Sequence, residues 1–201
     1  KAKIDNSLMQ RKIDENVDYG TIFTGGHGLR AALIAAAGPL LANGGGAILC
    51  DRLILALASR RVTSVRAALN IWIITWLGAF NVFNVWSYAP LRALSAQAGM
   101  ALLARCRGMP NWAMFPFVSA FALWLAFRFA SVVLPHAQDS LSAYDLNRIF
   151  GVTVIATTVP FYSIVGLFGN YGLASVIMCI LSLFLFIPVL IAIYTKKLKK
   201  E

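Results

Sequence analysis

The chain has 201 residues, of which 59% are hydrophobic and 13% charged, and its mean hydropathy is +0.72. A soluble domain is about half apolar and about a quarter charged, so this composition excludes an ordinary soluble enzyme, a disordered chain and a disulfide scaffold. The net charge of +10 comes from 18 Lys and Arg against 8 Asp and Glu. In so apolar a chain this excess indicates basic loops that face anionic lipid headgroups. No basic patch with interleaved aromatic residues points to a nucleic-acid partner.

The predicted elements form an all-α, polytopic transmembrane helix bundle in contact with the lipid bilayer. Residues 1–30 are a polar N-terminal segment, residues 31–194 the bundle, and residues 195–201 a basic C-terminal tail. Runs of about 20 apolar residues are long enough, at about 1.5 Å per residue, to cross a hydrocarbon layer of about 30 Å as helices. Five such runs cover residues 31–50, 67–88, 112–134, 149–168 and 173–194. They lack the alternation of a membrane β-barrel.

Basic residues are concentrated in the loop predicted over 51–66 and in the C-terminal tail. With five spans, these two segments lie on the same side of the membrane. The positive-inside rule assigns that side to the cytoplasm. A second loop, predicted over 135–148, shares it.

The first predicted span is rich in small residues. Gly38, Ala42 and Gly46 are four residues apart and therefore share one face of an α-helix. Small residues at this spacing allow two helix backbones to approach closely. The pattern predicts either plain helix packing or a helix that slides or rocks against a neighbour during transport.

An acidic residue ends that span, and basic residues follow it. Asp51 and Arg52 come first, and the pair Arg60 and Arg61 precedes the next span. One interpretation is a solvated loop that obeys the positive-inside rule. The other is that Asp51 pairs with a neighbouring arginine or caps an adjacent helix, which would fix the loop against the next span.

Three polar residues inside the predicted spans are candidates for a functional role. Arg128 is the one charged residue well inside a run, and three roles are open to it: snorkelling to the interface, an inter-helix pair, or a substrate or gating role. Asn81 and Asn84 are three residues apart and face one side of their helix. Their amides require partners, which predicts either hydrogen bonds between helices or a water-filled cavity.

The residue pattern predicts no catalytic residue, no metal site and no cofactor, and therefore no enzyme. His27 and His136 have no carboxylate at ligand spacing, and the three cysteines show no metal-ligand spacing. No carboxylate is placed within a predicted span, so proton coupling would have to come from residues outside these helices.

The segment AILCDRLILALASRRV resembles the loop signature of the major facilitator superfamily. Its stretched form, with ILALAS before the basic pair, is similar to the loop between the eighth and ninth spans of fungal-type facilitators. TGGHGLRAAL, NWAMFPFVSAFALWLAF and NRIFGVTVIATTVPF resemble the start of the eighth span, the tenth span and the eleventh span. Residues 168–200 are similar to the last span and its basic tail. The resemblance covers about residues 20–200 and implies the C-terminal half of such a transporter.

Two functions from different classes remain open. The resemblance implies a secondary transporter that moves a small solute by alternating access. On that hypothesis the gating motif is Asp51, Arg52, Arg60 and Arg61, and the candidate translocation path is Asn81, Asn84 and Arg128. The alternative is a non-catalytic accessory membrane subunit of a larger multi-protein complex, because transporters built from paired repeats usually have an even number of spans. Both hypotheses imply other membrane helices as partners, either a missing half or partner subunits.

Overall fold

All regular secondary structure is helical in the part of the chain that the computed structural model describes. These residues are 21–22, 25–59, 62, 64–88, 90–91, 94, 104, 108–142, 149–168 and 172–199. The predicted all-α class is confirmed. The predicted N-terminal segment lies largely outside the described residues.

Five long helices build the described part of the bundle. They are α1 (28–58), α2 (Val65–Tyr88), α3 (115–141), α4 (Ile149–Phe168) and α5 (Leu173–Leu198), with a 3-10 turn, Asn111–Met114, before α3. Among the described residues, four segments are long and apolar enough to cross a membrane: Ala37–Ala58, Val65–Tyr88, Trp112–Leu141 and Leu173–Leu198. The apolar part of α4, Ile149–Ile164, is shorter. The protein is an integral, multi-pass membrane protein.

Buried threonine hydroxyls form their hydrogen bonds within their own helices. The Thr75 hydroxyl donates to the Ile71 carbonyl at 2.7 Å, and the Thr158 hydroxyl donates to the Val154 carbonyl at 2.6 Å. Both hydroxyls are buried, and both bond to the carbonyl four residues earlier in their own helix. A membrane offers no water to backbone or side-chain polar groups, so such internal bonds let polar residues stand in apolar spans.

Three of the helices contain a stretch of π-helix. The stretches are Ala37–Gly44 in α1, Phe129–Val133 in α3 and Ser182–Phe186 in α5. Each is associated with a proline: Pro39 lies within the first, and Pro135 and Pro188 follow the other two by two residues. Proline has no N–H, and its ring clashes with the carbonyl four residues earlier in an α-helix. The wider π turn gives the ring room, which accounts for its position.

α2 occupies the middle of the bundle and packs on α1, α3 and α4. Its Phe83 side chain is fully buried and meets the Phe129 ring edge to face, with ring centroids 6.2 Å apart. α5 is fixed to α2 by Trp86, whose indole N–H donates to the Ser182 hydroxyl at 2.9 Å. The Trp86 ring also stacks on Phe186, with centroids 4.0 Å apart and an interplanar angle of 7°.

α4 and α5 are in close contact at Gly151. The phenol ring of Tyr194 occupies the space in which any Cβ at position 151 would stand, and Tyr194 is fully buried. A glycine is therefore required at this crossing, as is common where membrane helices touch.

Two predicted loops are partly helical, which corrects their boundaries. The loop predicted over 51–66 is helix up to Ala58, so Asp51 and Arg52 lie within α1. The apolar run that follows Arg52 continues the helix, because its side chains can contact either lipid or the protein interior. The loop predicted over 135–148 is helix up to Leu141, since Pro135 stands in the first turn after the π stretch, where a proline is tolerated.

Candidate functional site

α1 and α2 meet along a line of small and amide residues. Asn84 Nδ2 donates to Asn43 Oδ1 at 3.1 Å. One turn along, Gly46 lies against the Asn81 side chain, and a further turn on, a Cβ at Gly78 would stand 3.2 Å from the Cβ of Cys50. Position numbers rise on one helix as they fall on the other, so the two helices are antiparallel and close together at three successive levels.

The predicted packing residues are separated by the structure. Gly46 is at the helix contact, whereas Gly38 and Ala42 are exposed and a Cβ at Gly38 would meet nothing within 4 Å. Gly38 and Ala42 lie within the π stretch Ala37–Gly44, which changes the rotation per residue, so the four-residue spacing does not place them on the same face as Gly46. Gly44 provides another close contact, because a Cβ there would stand 3.0 Å from the Phe121 ring.

α1 and α3 meet at two levels, seven residues apart on each helix. Phe121 of α3 lies on Gly44 of α1, and Arg128 of α3 reaches Asp51 of α1. Position numbers rise together on both helices, so α1 and α3 are parallel. This direction is expected for spans separated by one antiparallel span.

A charged hydrogen bond joins these two parallel helices. Arg128 Nε donates to Asp51 Oδ2 at 2.7 Å, and the side chains are 31% and 10% exposed. The structure thus shows Arg128 in an inter-helix pair, one of the three roles open to it, and shows Asp51 paired with an arginine on another span. Asp51 lies within the span Ala37–Ala58, which corrects the expectation that the spans hold no carboxylate. The pairing compensates part of the cost of burying the charge.

Both residues of the pair line a small pocket between α1, α2 and α3. The pocket has room for about one water molecule. Its lining residues come from the three helices that meet there: Ala47, Ile48, Asp51, Val82, Trp124, Leu125, Arg128, Phe129 and Val133. The second carboxylate oxygen, Asp51 Oδ1, is buried and has no hydrogen-bond partner among the described residues.

The asparagines predicted for a translocation path lie on the α1 side of α2. Asn84 bonds to Asn43 across the helices, and Asn81 Nδ2 donates to the Leu77 carbonyl of its own helix at 2.8 Å. Asn43 Nδ2 donates to the Gly38 carbonyl at 2.9 Å, a carbonyl of the π stretch. The structure therefore places Asn81, Asn84 and Arg128 against the same helix, α1.

Sequence reasoning missed Asn43. Its signal is the amide in the segment ANGGG, three residues before Gly46, which puts it on the Gly46 side of a helix.

The structure describes one of the remaining predicted gating residues. Arg52 is exposed on α1, while Arg60 and Arg61 lie outside the described residues. His136, expected in a loop, is helical and exposed, with its Nδ1 2.7 Å from the Val132 carbonyl. In the described ranges, three or more His, Cys, Asp or Glu side chains do not come together as a metal site would require.

The arrangement is a line of amide and charged residues along α1. Asn43 and Asn84 hold α1 to α2, and Asp51 and Arg128 hold α1 to α3. These contacts can fix the three helices in one relative position, and the hydrogen bonds can be exchanged if the helices move. Comparisons with family models, with curated proteins and with solved structures give no match to this chain.

Proposed function

We propose that this chain is the C-terminal half of a facilitator-type secondary transporter, which moves a small solute by alternating access. The observation that carries the proposal is the partly buried Asp51–Arg128 pair. Asp51 belongs to the segment that resembles the superfamily's loop signature, and its partner is a charged residue deep in another span. Ionisable residues inside membrane spans are costly and for that reason usually serve function.

On this proposal, α1 and α3 take two relative positions, one with the Asp51–Arg128 bond formed and one with it broken. With the bond formed, both charges are compensated and the helices are held together. With the helices apart, each charge needs water or another partner, because a buried lone charge is strongly unfavourable. A transporter that alternates between two states uses contacts of this kind, formed in one state and exchanged in the other.

The transport proposal is tested in proteoliposomes. Vesicles that contain the complete protein are exposed to a mixture of polar metabolites, and the solutes accumulated inside are measured by mass spectrometry. We expect at least one solute to accumulate with the native protein and not with Asp51→Asn, at equal protein content. Asp139→Asn is the matched control, since it removes the same charge from an exposed residue of α3.

A double variant separates a transport role from a purely structural one. Asp51→Asn with Arg128→Gln removes both charges and leaves no uncompensated ion. We expect the double variant to regain stability but not solute accumulation. Recovery of both stability and accumulation would show that the pair only supports the fold.

A second candidate, the accessory subunit, is favoured by the outer surface of α1. Gly38 and Gly45 face open space, and only 22% of the span in α1 and 17% of the span in α5 is buried among the described residues. Small residues on an open face allow another membrane helix to approach closely.

Native mass spectrometry of the gently solubilised protein distinguishes the two candidates. A single species with the mass of one complete transporter supports the transporter. A stoichiometric assembly of many different chains, together with no solute accumulation in the vesicles, supports the subunit.

A further inference from the structure

The side chain of Asn43 bonds to a carbonyl five residues earlier in α1. Asn43 Nδ2 donates to the Gly38 carbonyl at 2.9 Å. Asn81 and Thr75 of α2, in contrast, each donate to the carbonyl four residues earlier. Hydrogen bonds span five residues in a π-helix and four in an α-helix. The Asn43 amide therefore stabilises the π form of the stretch Ala37–Gly44 relative to an α form.

α2 holds the Asn43 side chain in this position. Asn84 Nδ2 donates to Asn43 Oδ1 at 3.1 Å, so the donor and the acceptor of the Asn43 amide are both engaged. An amide that is bonded at both its nitrogen and its oxygen keeps one orientation. The π turn of α1 is thereby coupled to the position of α2.

The π turn sets the rotation of the residues that follow it in α1. An α turn closes with one residue fewer, so relaxing one π turn would advance the residues after Gly44 by about 100° around the helix axis. Each of them would then take the place that the next residue holds now. Cys50 would stand opposite Arg128 in place of Asp51, and the ion pair would be broken.

The sequence after the π stretch suits both rotations. Gly45 would take the place of Gly46 against Asn81, where a Cβ has no room. Gly45 now faces open space, so the observed rotation alone gives no reason for a glycine there. The segment before the stretch is less able to turn instead, because Leu33 would take the place of Ala32, which is fully buried.

We propose that α1 has two rotational registers and that the Asn43 side chain holds the observed one, the π register. In the π register Asp51 meets Arg128, and in the α register Cys50 takes the place of Asp51. The two glycines that follow the stretch each pack against α2 in one of the registers. A movement of α2 that withdraws Asn84 releases Asn43 and so breaks the ion pair further along α1. The register change provides a way to exchange that pair in a transporter, but it requires neither a solute nor transport.

Disulfide cross-linking of the reconstituted full protein measures each register separately. A Cβ at position 78 stands 3.2 Å from the Cβ of Cys50, so Gly78→Cys with Cys50 is the π-register pair. In the α register Leu49 takes the place of Cys50. Leu49→Cys with Gly78→Cys and Cys50→Ala is therefore the α-register pair. The other native cysteines are replaced by alanine in both.

Asn43→Ala is expected to favour the α register. The ratio of the α-register to the π-register cross-linking rate should rise at least about fivefold, the factor that one hydrogen bond contributes. Asn70→Ala, which removes an exposed amide from α2, is the matched control and should leave the ratio unchanged. An unchanged ratio in Asn43→Ala would overturn the proposal, since α1 would then keep its register without this amide.

Gly45→Ala keeps the proposal testable if Asn43→Ala does not fold. Its methyl group meets open space in the π register and collides with Asn81 in the α register. We expect the α-register rate to fall at least about fivefold and the π-register rate to stay the same. Equal α-register rates with and without Gly45→Ala would contradict the second register. Because neither measurement uses a transported solute, failure of the register change and failure of the transport proposal are distinguishable.

Discussion

Gly46 of α1 lies directly against the side-chain amide of Asn81 of α2. A Cβ at position 46 would stand 2.7 Å from Asn81 Oδ1, which is closer than a real Cβ approaches an oxygen. The Asn81 amide is itself held by a hydrogen bond to the Leu77 carbonyl, so it cannot move aside without losing that bond. The close approach of α1 and α2 at this level depends on the missing side chain.

Gly46→Ala is therefore expected to destabilise the bundle. Overpacking a tight contact costs about 1–3 kcal/mol, which would lower the thermal unfolding midpoint of the purified protein in detergent. Gly38→Ala is the matched control on the same helix, because a Cβ there meets open space. Equal midpoints for the two variants would mean that Gly46 is not a packing residue.

Removing one partner of the Asp51–Arg128 pair is expected to be more damaging than removing both. A buried charge left alone costs about 3–5 kcal/mol, so Arg128→Gln, which leaves the buried Asp51 carboxylate alone, should lower the unfolding midpoint strongly. Asp51→Asn should lower it less, because the Arg128 side chain that it leaves is 31% exposed. The double variant should recover a large part of the loss. The check is a double-mutant cycle of midpoints; additive effects would contradict a direct interaction between the two residues.

Gly151→Ala is expected to disturb the crossing of α4 and α5. The added methyl group collides with the Tyr194 ring, which is fully buried and has no free space to enter. A loss of about 1–3 kcal/mol is expected, visible as a lower thermal unfolding midpoint in detergent. In a Tyr194→Ala background, which itself leaves a cavity, Gly151→Ala should cost less than it does in the native protein, since the colliding ring is absent. An equal cost of Gly151→Ala in both backgrounds would point to another cause.

Ser182→Ala is expected to destabilise through a single lost hydrogen bond. Trp86 Nε1 is then buried without an acceptor, at a cost of about 1–3 kcal/mol. Trp86→Phe with Ser182→Ala removes the donor as well and keeps an aromatic ring to stack on Phe186. The double variant should be no less stable than Ser182→Ala, measured as thermal unfolding in detergent. A clearly lower midpoint would show that the indole contributes mainly by packing.

The helices were predictable because membrane spans are set by composition and length. The runs at 67–88 and 149–168 agree with α2 and α4 almost to the residue. The ends of α1 and α3 were not predictable from hydropathy. In α1, the charged Asp51 resembles the end of a membrane span until its partner on α3 is known. Arg128 lies 77 positions away, and no local pattern connects the two.

The candidate site was predictable in its parts and not in its pairing. Asn81, Asn84 and Arg128 are unusual in apolar spans and were identifiable for that reason. Asp51 was identifiable because it ends an apolar run beside basic residues. Which partner each one takes depends on the rotation of the helices, and the π stretches alter that rotation. The pairing of Asn43 with Asn84 is seen only in the packed bundle.

The π stretches have a practical consequence for anyone placing probes on this protein. A helical wheel turns by about 100° for each residue of an α-helix. A wheel drawn with this angle through residues 37–44 or 129–133 therefore assigns the residues beyond the π stretch to the wrong face of the helix. α1 and α3 each present two surfaces whose angular offset is set by the π turn. Spin labels or cysteine pairs chosen by periodicity across these turns will point to different neighbours, so each half of the span needs its own wheel.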